Sequence, residues 1–223
     1  MQANYVQRLR IIFSKLGPTR YISHLDLARA LERSLNRARM PLAYTQGYNR
    51  RPRMQLAAAL PLGFTSECEI ADIWMLEPLN PKIALAKMKP KMAPGVEVQQ
   101  VTAVDLKGPP LQTLTYEATY QALFIDSPDF SLLEKRIMGL MAKEEIWRQR
   151  REKEYDLRPL ILDLSTKKRP DGSPGLKMDL SLLPGKTGRP DEVIAALDLD
   201  PLSARIHRTK IVLANEANQS DEN

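Results

Sequence analysis

One histidine stands among arginines near the start of the chain. His24 lies just inside a candidate helix, with Arg20, Arg29 and Arg33 around it and Tyr21 close by in sequence. An imidazole can serve as general acid or base, so His24 could cleave RNA with Tyr21 as a helper, which makes it the candidate catalytic residue. In the alternative reading, His24 packs or hydrogen-bonds at the helix start, which is the commoner role for a histidine in this position.

The basic charge of the chain is concentrated in its first quarter. Between Met1 and Arg53 there are eleven Lys and Arg residues against two acids, Asp26 and Glu32, whereas the whole chain carries only +6. The first 53 residues therefore sum to +9 and the rest to −3, so the basic character is local. Two acids cannot neutralise this many cations, which predicts a surface that binds an anionic partner. The alternative is a solvated helix face whose charges pair locally.

Three of the arginines recur at helical spacing. Apolar residues mark one side of a helix over positions 24–39, while Arg29, Arg33 and Arg37 follow one another at i, i+4 and i+8. This spacing predicts a ridge of guanidinium groups along one side of the helix, and arginine holds phosphate through a planar bidentate fork. The predicted buried side consists of Leu25, Ala28, Leu31, Leu35 and Ala38.

A loop with many turn-forming residues follows this helix. Between Gly47 and Gly63, glycine, asparagine and proline impose a specific turn, from which we expect three arginines to project beside Tyr48. An exposed aromatic among arginines can stack on a base while the cations hold its phosphates. Alternatively, Tyr48 belongs to the core and the arginines only solvate a hairpin. The candidate nucleic-acid-binding residues are Arg20, Arg29, Arg33, Arg37, Tyr48, Asn49, Arg50, Arg51 and Arg53.

Composition and motifs limit the classes of function. The chain has 43% hydrophobic and 27% charged residues, which is typical of a globular protein, and no apolar run is long enough to span a bilayer. A single cysteine, Cys68, excludes an internal disulfide and a cysteine-based metal site, so we expect a cytoplasmic protein with no metal and no cofactor. The motif PGKTGRP at 184–190 lacks the upstream glycine of a phosphate loop and is predicted to be a turn before a helix. With no catalytic motif of its own, the chain is not expected to be an enzyme by itself.

The order of predicted elements indicates an α+β fold of two tandem ferredoxin-like (βαββαβ) units. We predict a basic N-terminal domain over 1–107, a linker at Gly108-Pro109-Pro110, a second domain over 111–214 and a disordered tail over 215–223. The first half reads as a strand at 5–17, a helix at 24–39, extended segments at 42–60 and 64–76, a helix from 81 and a strand at 96–104. The second half reads as a strand at 114–125, a helix at 131–150, strands at 155–165 and 176–183, a short helix from 190 and a strand at 203–214.

The segment from Tyr21 to Gly63 resembles a family of conserved hypothetical proteins linked to radical SAM enzymes. That family's pattern is similar to F-x-S-H-L-D-L-x-R-x-x-x-R-x-x-x-R, followed by G-F-N-P-H-P-K and A-x-P-L-G. The chain departs from it at Arg50 and Arg51, which stand where the pattern has Pro and His, and at Arg53, which replaces Lys. The residues that fit are Ser23, His24, Leu25, Asp26, Arg29, Gly47, Asn49, Pro52, Pro61 and Gly63.

The resemblance implies an accessory role in radical SAM chemistry. The chain has no CxxxCxxC motif, so it carries no iron–sulfur cluster itself. Joined to the basic segment, this predicts an RNA-binding accessory protein that presents tRNA or rRNA to a radical SAM modifying enzyme. Two alternatives remain open: a metal-independent ribonuclease that uses His24, and a protein adaptor without nucleic-acid binding.

Overall fold

The computed structural model describes residues 5–126, 128–168 and 174–214. These residues form an α+β fold in two compact units, Met1–Leu114 and Thr115–Asn223. The tail predicted over 215–223 lies outside the described residues. No helix in the described ranges is long and apolar enough to cross a membrane.

The first unit contains four strands and two helices in the predicted order. Its strands pair antiparallel in the sheet order β4-β1-β3-β2. The second helix begins at Pro81, where the Asn80 side chain accepts a hydrogen bond from the Lys82 N–H. The elements are β1 (Gln7–Lys15), α1 (His24–Arg37), β2 (Met54–Leu56), β3 (Thr65–Met75), α2 (Pro81–Met88) and β4 (Val96–Val104).

The core of the first unit lies between α1 and the sheet. Alternate residues of β1 are buried, as the period-two pattern predicts, and α1 contributes a stripe at i, i+4 and i+8 that begins at Leu27. Leu25, predicted to be buried, is instead 68% exposed. Position 25 is two residues before Leu27, about 200° around the helix, and so lies on the side opposite the buried stripe. The central buried side chains are Leu9, Ile11, Phe13, Leu27, Leu31 and Leu35.

A buried ionic cluster lies on the face of β1 opposite Leu9. Asp72 on β3 is fully buried, and its carboxylate accepts hydrogen bonds from both Arg8 and Arg10 at 2.6–2.9 Å. The Arg8 guanidinium also donates to the carbonyl oxygens of Gly108 and Pro109, each at 2.9 Å. The segment predicted to be a linker is therefore fastened to the first unit by a buried cation.

The second unit has more strands than were predicted. Its strands pair antiparallel in the order β10-β9-β5-β11, and β8 also pairs with β9, while β6 and β7 form a separate hairpin. The elements are β5 (Thr115–Phe124), α3 (Phe130–Met141), β6 (Trp147–Arg150), β7 (Lys153–Asp156), β8 (Ile161–Lys168), β9 (Pro174–Leu183), β10 (Lys186–Thr187), α4 (Pro190–Ala196) and β11 (Ala204–Leu213).

The helix predicted over 131–150 is wrong in its second half. Helix α3 ends at Met141, and the chain then enters the β6–β7 hairpin. Ile146, which would lie on the buried side of such a helix, is buried beside the hairpin instead: its N–H donates to the Asp156 carboxylate at 2.7 Å, and its carbonyl accepts from the Leu157 N–H. The apolar pattern could not separate the two readings, because one buried residue fits either of them.

Candidate nucleic-acid interface

The arginine-bearing loop is built on a backbone hairpin. The Arg53 N–H donates to the Ala43 carbonyl at 2.7 Å, and the Thr45 N–H donates to the Arg51 carbonyl at 2.8 Å. We call residues 43–53 the hairpin loop. The extended segment predicted over 42–60, with its expected interruption at Gly47–Pro52, forms regular pairing only in β2 and otherwise two isolated bridges.

Helix α1 begins at a well-formed cap. Ser23 Oγ accepts a hydrogen bond from the Asp26 N–H at 3.1 Å and donates one to the Asp26 carboxylate at 2.7 Å. Beyond the cap, Arg29, Arg33 and Arg37 are all exposed on one side of the helix, where the spacing predicts them. We call these three side chains the arginine ridge.

Two of the ridge arginines are available to a ligand. Arg29 has an exposed contact of 3.4 Å to Asp26, which is weak in water, and Arg33 has no ion pair among the described residues. Arg37 is tied down instead, since its Nη2 donates to the Ser34 hydroxyl at 3.0 Å and to the Lys91 carbonyl at 2.8 Å.

The hairpin loop lies against α1. The Tyr44 hydroxyl is 2.8 Å from the Asn36 side-chain oxygen, and Arg51 is 3.4 Å from the Glu32 carboxylate. Positions 32 and 36 are one helical turn apart and adjoin the arginine ridge. The structure therefore brings the loop and the ridge together on one surface, although they are separated in sequence.

The tip of the hairpin loop is fully presented to solvent. Tyr48 is 104% exposed, which excludes the reading in which it belongs to the core, and Asn49 and Arg50 beside it are exposed as well. An aromatic ring in this state packs on nothing in the protein. It is available to stack on a partner's planar group.

Arg53 does not project from the loop as predicted. Its guanidinium lies 4.6 Å from the ring centre of Tyr5 and 5.0 Å from that of Trp74, and the residue is half-buried. Cation–π contacts of this kind hold the base of the loop. Beside them is a cavity of about 460 Å³, lined in part by Tyr44, Arg53 and Trp74.

Arg20 and His24 stand at the entry to α1. Arg20 is half-buried, its guanidinium is 5.4 Å from the ring centre of Tyr21, and its Nε is buried without a hydrogen-bond partner in the described chain. His24 is the first residue of α1 and is also half-buried. In the described ranges, no group of three or more His, Cys, Asp and Glu side chains is placed to hold a metal ion.

The charge of this segment is lower at the surface than the sequence predicts. Arg8 and Lys15 are buried, and Asp72, which lies outside the counted segment, accepts hydrogen bonds from Arg8 and Arg10. The charge sum over the first 53 residues does not include Asp72, the carboxylate that neutralises part of this positive charge. The exposed cations of the segment are Arg29, Arg33, Arg37, Arg39, Arg50 and Arg51.

The buried arginine cluster had a signal in the sequence. Arg8 and Arg10 are two apart in a strand and thus share one face, and Asp72 and Trp74 are likewise two apart in β3. The strand register brings Arg8 opposite Trp74 and Arg10 opposite Asp72. Two such pairs on neighbouring strands could have been matched before the structure was known.

Gly47 fixes the conformation of the loop tip. Its φ is +132°, a backbone conformation that residues other than glycine rarely adopt, and a Cβ there would meet no atom within 4 Å. We therefore expect Gly47→Val to lower the free energy of unfolding by about 1–3 kcal/mol through backbone strain alone. Urea unfolding followed by circular dichroism measures this. Tyr48→Val, at the fully exposed neighbouring residue, serves as control, and equal stability of the two variants would contradict the assignment.

The fold and this surface define a class: a two-unit α+β protein with a solvent-facing arginine and tyrosine surface on its first unit. Residues 8–190 match a family described as uncharacterized proteins conserved in bacteria (DUF2344), and the chain belongs to that family. No curated protein matches the sequence.

Proposed function

We propose that this protein binds RNA through Arg29 and Arg33 of the arginine ridge and through the hairpin loop, and presents tRNA or rRNA to a radical SAM modifying enzyme. The observation that carries the proposal is the placement of an unpacked tyrosine and four exposed arginines on one surface. The RNA-binding residues of this proposal are Arg29, Arg33, Tyr48, Asn49, Arg50 and Arg51.

The chemistry of this surface matches single-stranded or looped RNA. Guanidinium groups contact phosphates without regard to sequence, while Tyr48 offers a ring on which an unpaired base can stack. The cavity beside Tyr44 and Trp74 has polar and aromatic walls that suit a second base. Only two carboxylates, Asp26 and Glu32, lie on the helix beside these arginines, and each has an arginine next to it.

The proposal includes a finer description of the fold. We take each unit to be ferredoxin-like, the second with the β6–β7 hairpin and β10 inserted. The strand order supports this: β4-β1-β3-β2 in the first unit and β11-β5-β9-β8 in the second follow the same antiparallel plan. Fold alone does not assign an RNA site, so the argument for function stays with the surface residues.

The radical SAM partner in this proposal comes from the sequence resemblance described above. An enzyme that modifies RNA by radical chemistry needs its substrate held in position, and a basic accessory protein could supply that hold. The proposal assigns no catalytic step to this chain.

The proposal is tested by recovering the bound RNA from cells. Protein is crosslinked in lysate and purified, and the attached RNA is sequenced, in parallel for the wild type and for the Arg29→Glu, Arg33→Glu double variant. We expect an enriched RNA species that the double variant loses. Recovery of a radical SAM protein with no enriched RNA would overturn the proposal and favour a protein adaptor.

Replacement of His24 separates binding from cleavage. His24→Ala is expected to leave RNA affinity within about twofold of wild type, since the imidazole is not part of the exposed ridge. Incubation of end-labelled RNA with the wild type and with the variant, followed by gel electrophoresis, measures cleavage directly. Cleavage by the wild type that disappears in His24→Ala would instead identify a ribonuclease.

A further inference from the structure

A cavity of about 790 Å³ opens within the second unit. Its volume is in the range of roughly 300–1,000 Å³ typical of small-molecule sites. One wall is the end of the β6–β7 hairpin, from Arg150 to Asp156, and another is the β9–β10 turn around Gly185. We call this cavity the second-unit cleft.

The floor of the cleft is apolar and aromatic. Leu160, Leu162 and Leu183 line it together with the rings of Tyr116 and Tyr155. Leu162 and Tyr116 are large hydrophobic residues that are substantially exposed, so the cleft contains an exposed apolar patch. Such a floor is suited to binding a flat, partly apolar part of a ligand, such as an aromatic ring.

The rim of the cleft is basic. Arg150, Arg151, Lys153 and Lys186 are exposed and have no ion pair within the described parts of the chain. Of the two acids that line the cleft, Asp156 is already engaged, because its carboxylate accepts the N–H groups of Ile146 and Arg158. The rim therefore carries an excess of positive charge around an apolar floor.

Two lining side chains have buried polar atoms without partners. The Tyr155 hydroxyl and the Arg189 Nε are both buried and neither has a hydrogen-bond partner among the described residues. Burial, with Glu192 nearby, raises the pKa of the Tyr155 phenol, so it stays protonated as a donor. Buried polar groups are rarely left unpaired, and a bound ligand is one way to satisfy them.

A tight turn carries three of the rim cations. Arg151, in the turn of the β6–β7 hairpin, has a φ of +54°, which is uncommon for a residue with a side chain. Two-residue hairpin turns are built on such a conformation. The turn therefore holds Arg150, Arg151 and Lys153 close together at the rim.

We propose that the second-unit cleft binds a nucleoside phosphate as a small molecule, with the base on the Tyr116 and Tyr155 floor and the phosphates at Arg150, Lys153 and Lys186. The choice of a nucleoside phosphate rests on both the apolar floor and the basic rim of the cleft. An inorganic anion would leave the apolar floor uncovered, and an apolar ligand would leave the cations of the rim unused. Gly185 contributes here as part of the β9–β10 turn and Lys186 and Thr187 as strand β10, and not as a phosphate loop.

The test is calorimetric titration of the full chain with ADP, GDP, CDP and UDP, and separately with adenosine and inorganic phosphate. We expect at least one nucleoside diphosphate to bind at least tenfold more tightly than adenosine and inorganic phosphate. If every diphosphate binds no better than inorganic phosphate, the proposal is overturned.

Variants then place the bound nucleotide. Arg150→Glu with Lys186→Glu should weaken binding at least tenfold, and Tyr155→Phe should weaken it several-fold while keeping the ring. Lys135→Glu with Lys167→Glu makes the same change in net charge on exposed lysines outside the cleft and should have no effect. Equal losses in both double variants would show a general charge effect and contradict the site.

This site is distinct from the RNA surface of the first unit. Arg29→Glu with Arg33→Glu should leave nucleotide affinity unchanged, so failure of either proposal can be recognised without the other. Loss of nucleotide binding in that variant would place the nucleotide on the first unit and overturn the assignment to the cleft.

Discussion

Arg29→Glu combined with Arg33→Glu is expected to weaken RNA binding by about 100-fold, equivalent to about 2.7 kcal/mol. Both side chains are exposed, so the substitution removes two phosphate contacts and adds two repulsive charges. Neither change should unfold the helix, because Arg and Glu have similar helix propensities and each like-charge pair costs only about 0.2–0.5 kcal/mol. Fluorescence anisotropy with a labelled single-stranded RNA at fixed salt measures the loss.

Two controls make the comparison specific. Lys135→Glu with Lys167→Glu reverses the same amount of charge on exposed lysines of the second unit and should change affinity by less than about threefold. Arg29→Lys with Arg33→Lys keeps the charge and should bind with intermediate affinity, since lysine lacks the bidentate fork. Unchanged affinity in the glutamate variant, with a normal melting curve, would remove the arginine ridge from the account.

Asp72→Asn is expected to lower the free energy of unfolding by about 3–5 kcal/mol. The carboxylate is fully buried and accepts four hydrogen bonds from Arg8 and Arg10, so its neutralisation leaves guanidinium charge buried without compensation. Because Arg8 also holds Gly108 and Pro109, the segment at the end of the first unit should loosen with it. Equilibrium unfolding in urea measures the first effect and amide hydrogen exchange the second.

The matched control for Asp72 is Glu97→Gln, a neutralised carboxylate on the exposed side of β4 in the same sheet. It should change stability by less than about 0.5 kcal/mol, as exposed substitutions away from special features do. A loss below 1 kcal/mol in Asp72→Asn would mean that water reaches the cluster and that the arginines are not held by this carboxylate.

Regular elements with clear end signals could be predicted from the sequence. Strand β4 coincides with the predicted 96–104, and α2 begins at Pro81 behind its Asn80 cap. The misjudged elements lacked such signals. Residues 142–156 carry too few apolar positions to fix a period, and the turn at Arg151 contains neither glycine nor proline, so a hairpin was read as a continued helix.

The candidate site was predictable where it depended on local spacing. Arg29, Arg33 and Arg37 lie on one helix side because i, i+4 and i+8 must do so. Contacts across the sheet do not follow from spacing within one element, and these contacts changed the roles of Arg8 and Arg53. The contact of the hairpin loop with α1 was equally out of reach, because it depends on the single contacts of Arg51 and Tyr44.

The second-unit cleft shows the same limit. Its cations come from two hairpins that are about thirty residues apart in sequence. The first hairpin lies in a densely charged stretch, but the six Lys and Arg residues of 143–158 stand against five acids, so its net charge is close to zero. The β6–β7 hairpin does not pair with the sheet that contains β10, so tertiary packing alone places Lys186 and Arg150 in one cavity. The motif PGKTGRP, predicted to be a turn before a helix, has its turn at Pro184-Gly185, and the short strand β10 stands between that turn and α4. Nothing in these seven residues indicates a ligand.

The central claim, that the first unit binds RNA through its exposed arginines, is tested most directly by the salt dependence of RNA affinity. Anisotropy titrations of the wild-type chain from 50 to 300 mM salt give the slope of log K against log salt. About four phosphate contacts predict a slope near −3 for single-stranded RNA, and the Arg29→Glu, Arg33→Glu variant should lose about half of it. A wild-type slope near zero, or a variant slope equal to that of wild type, would contradict the account.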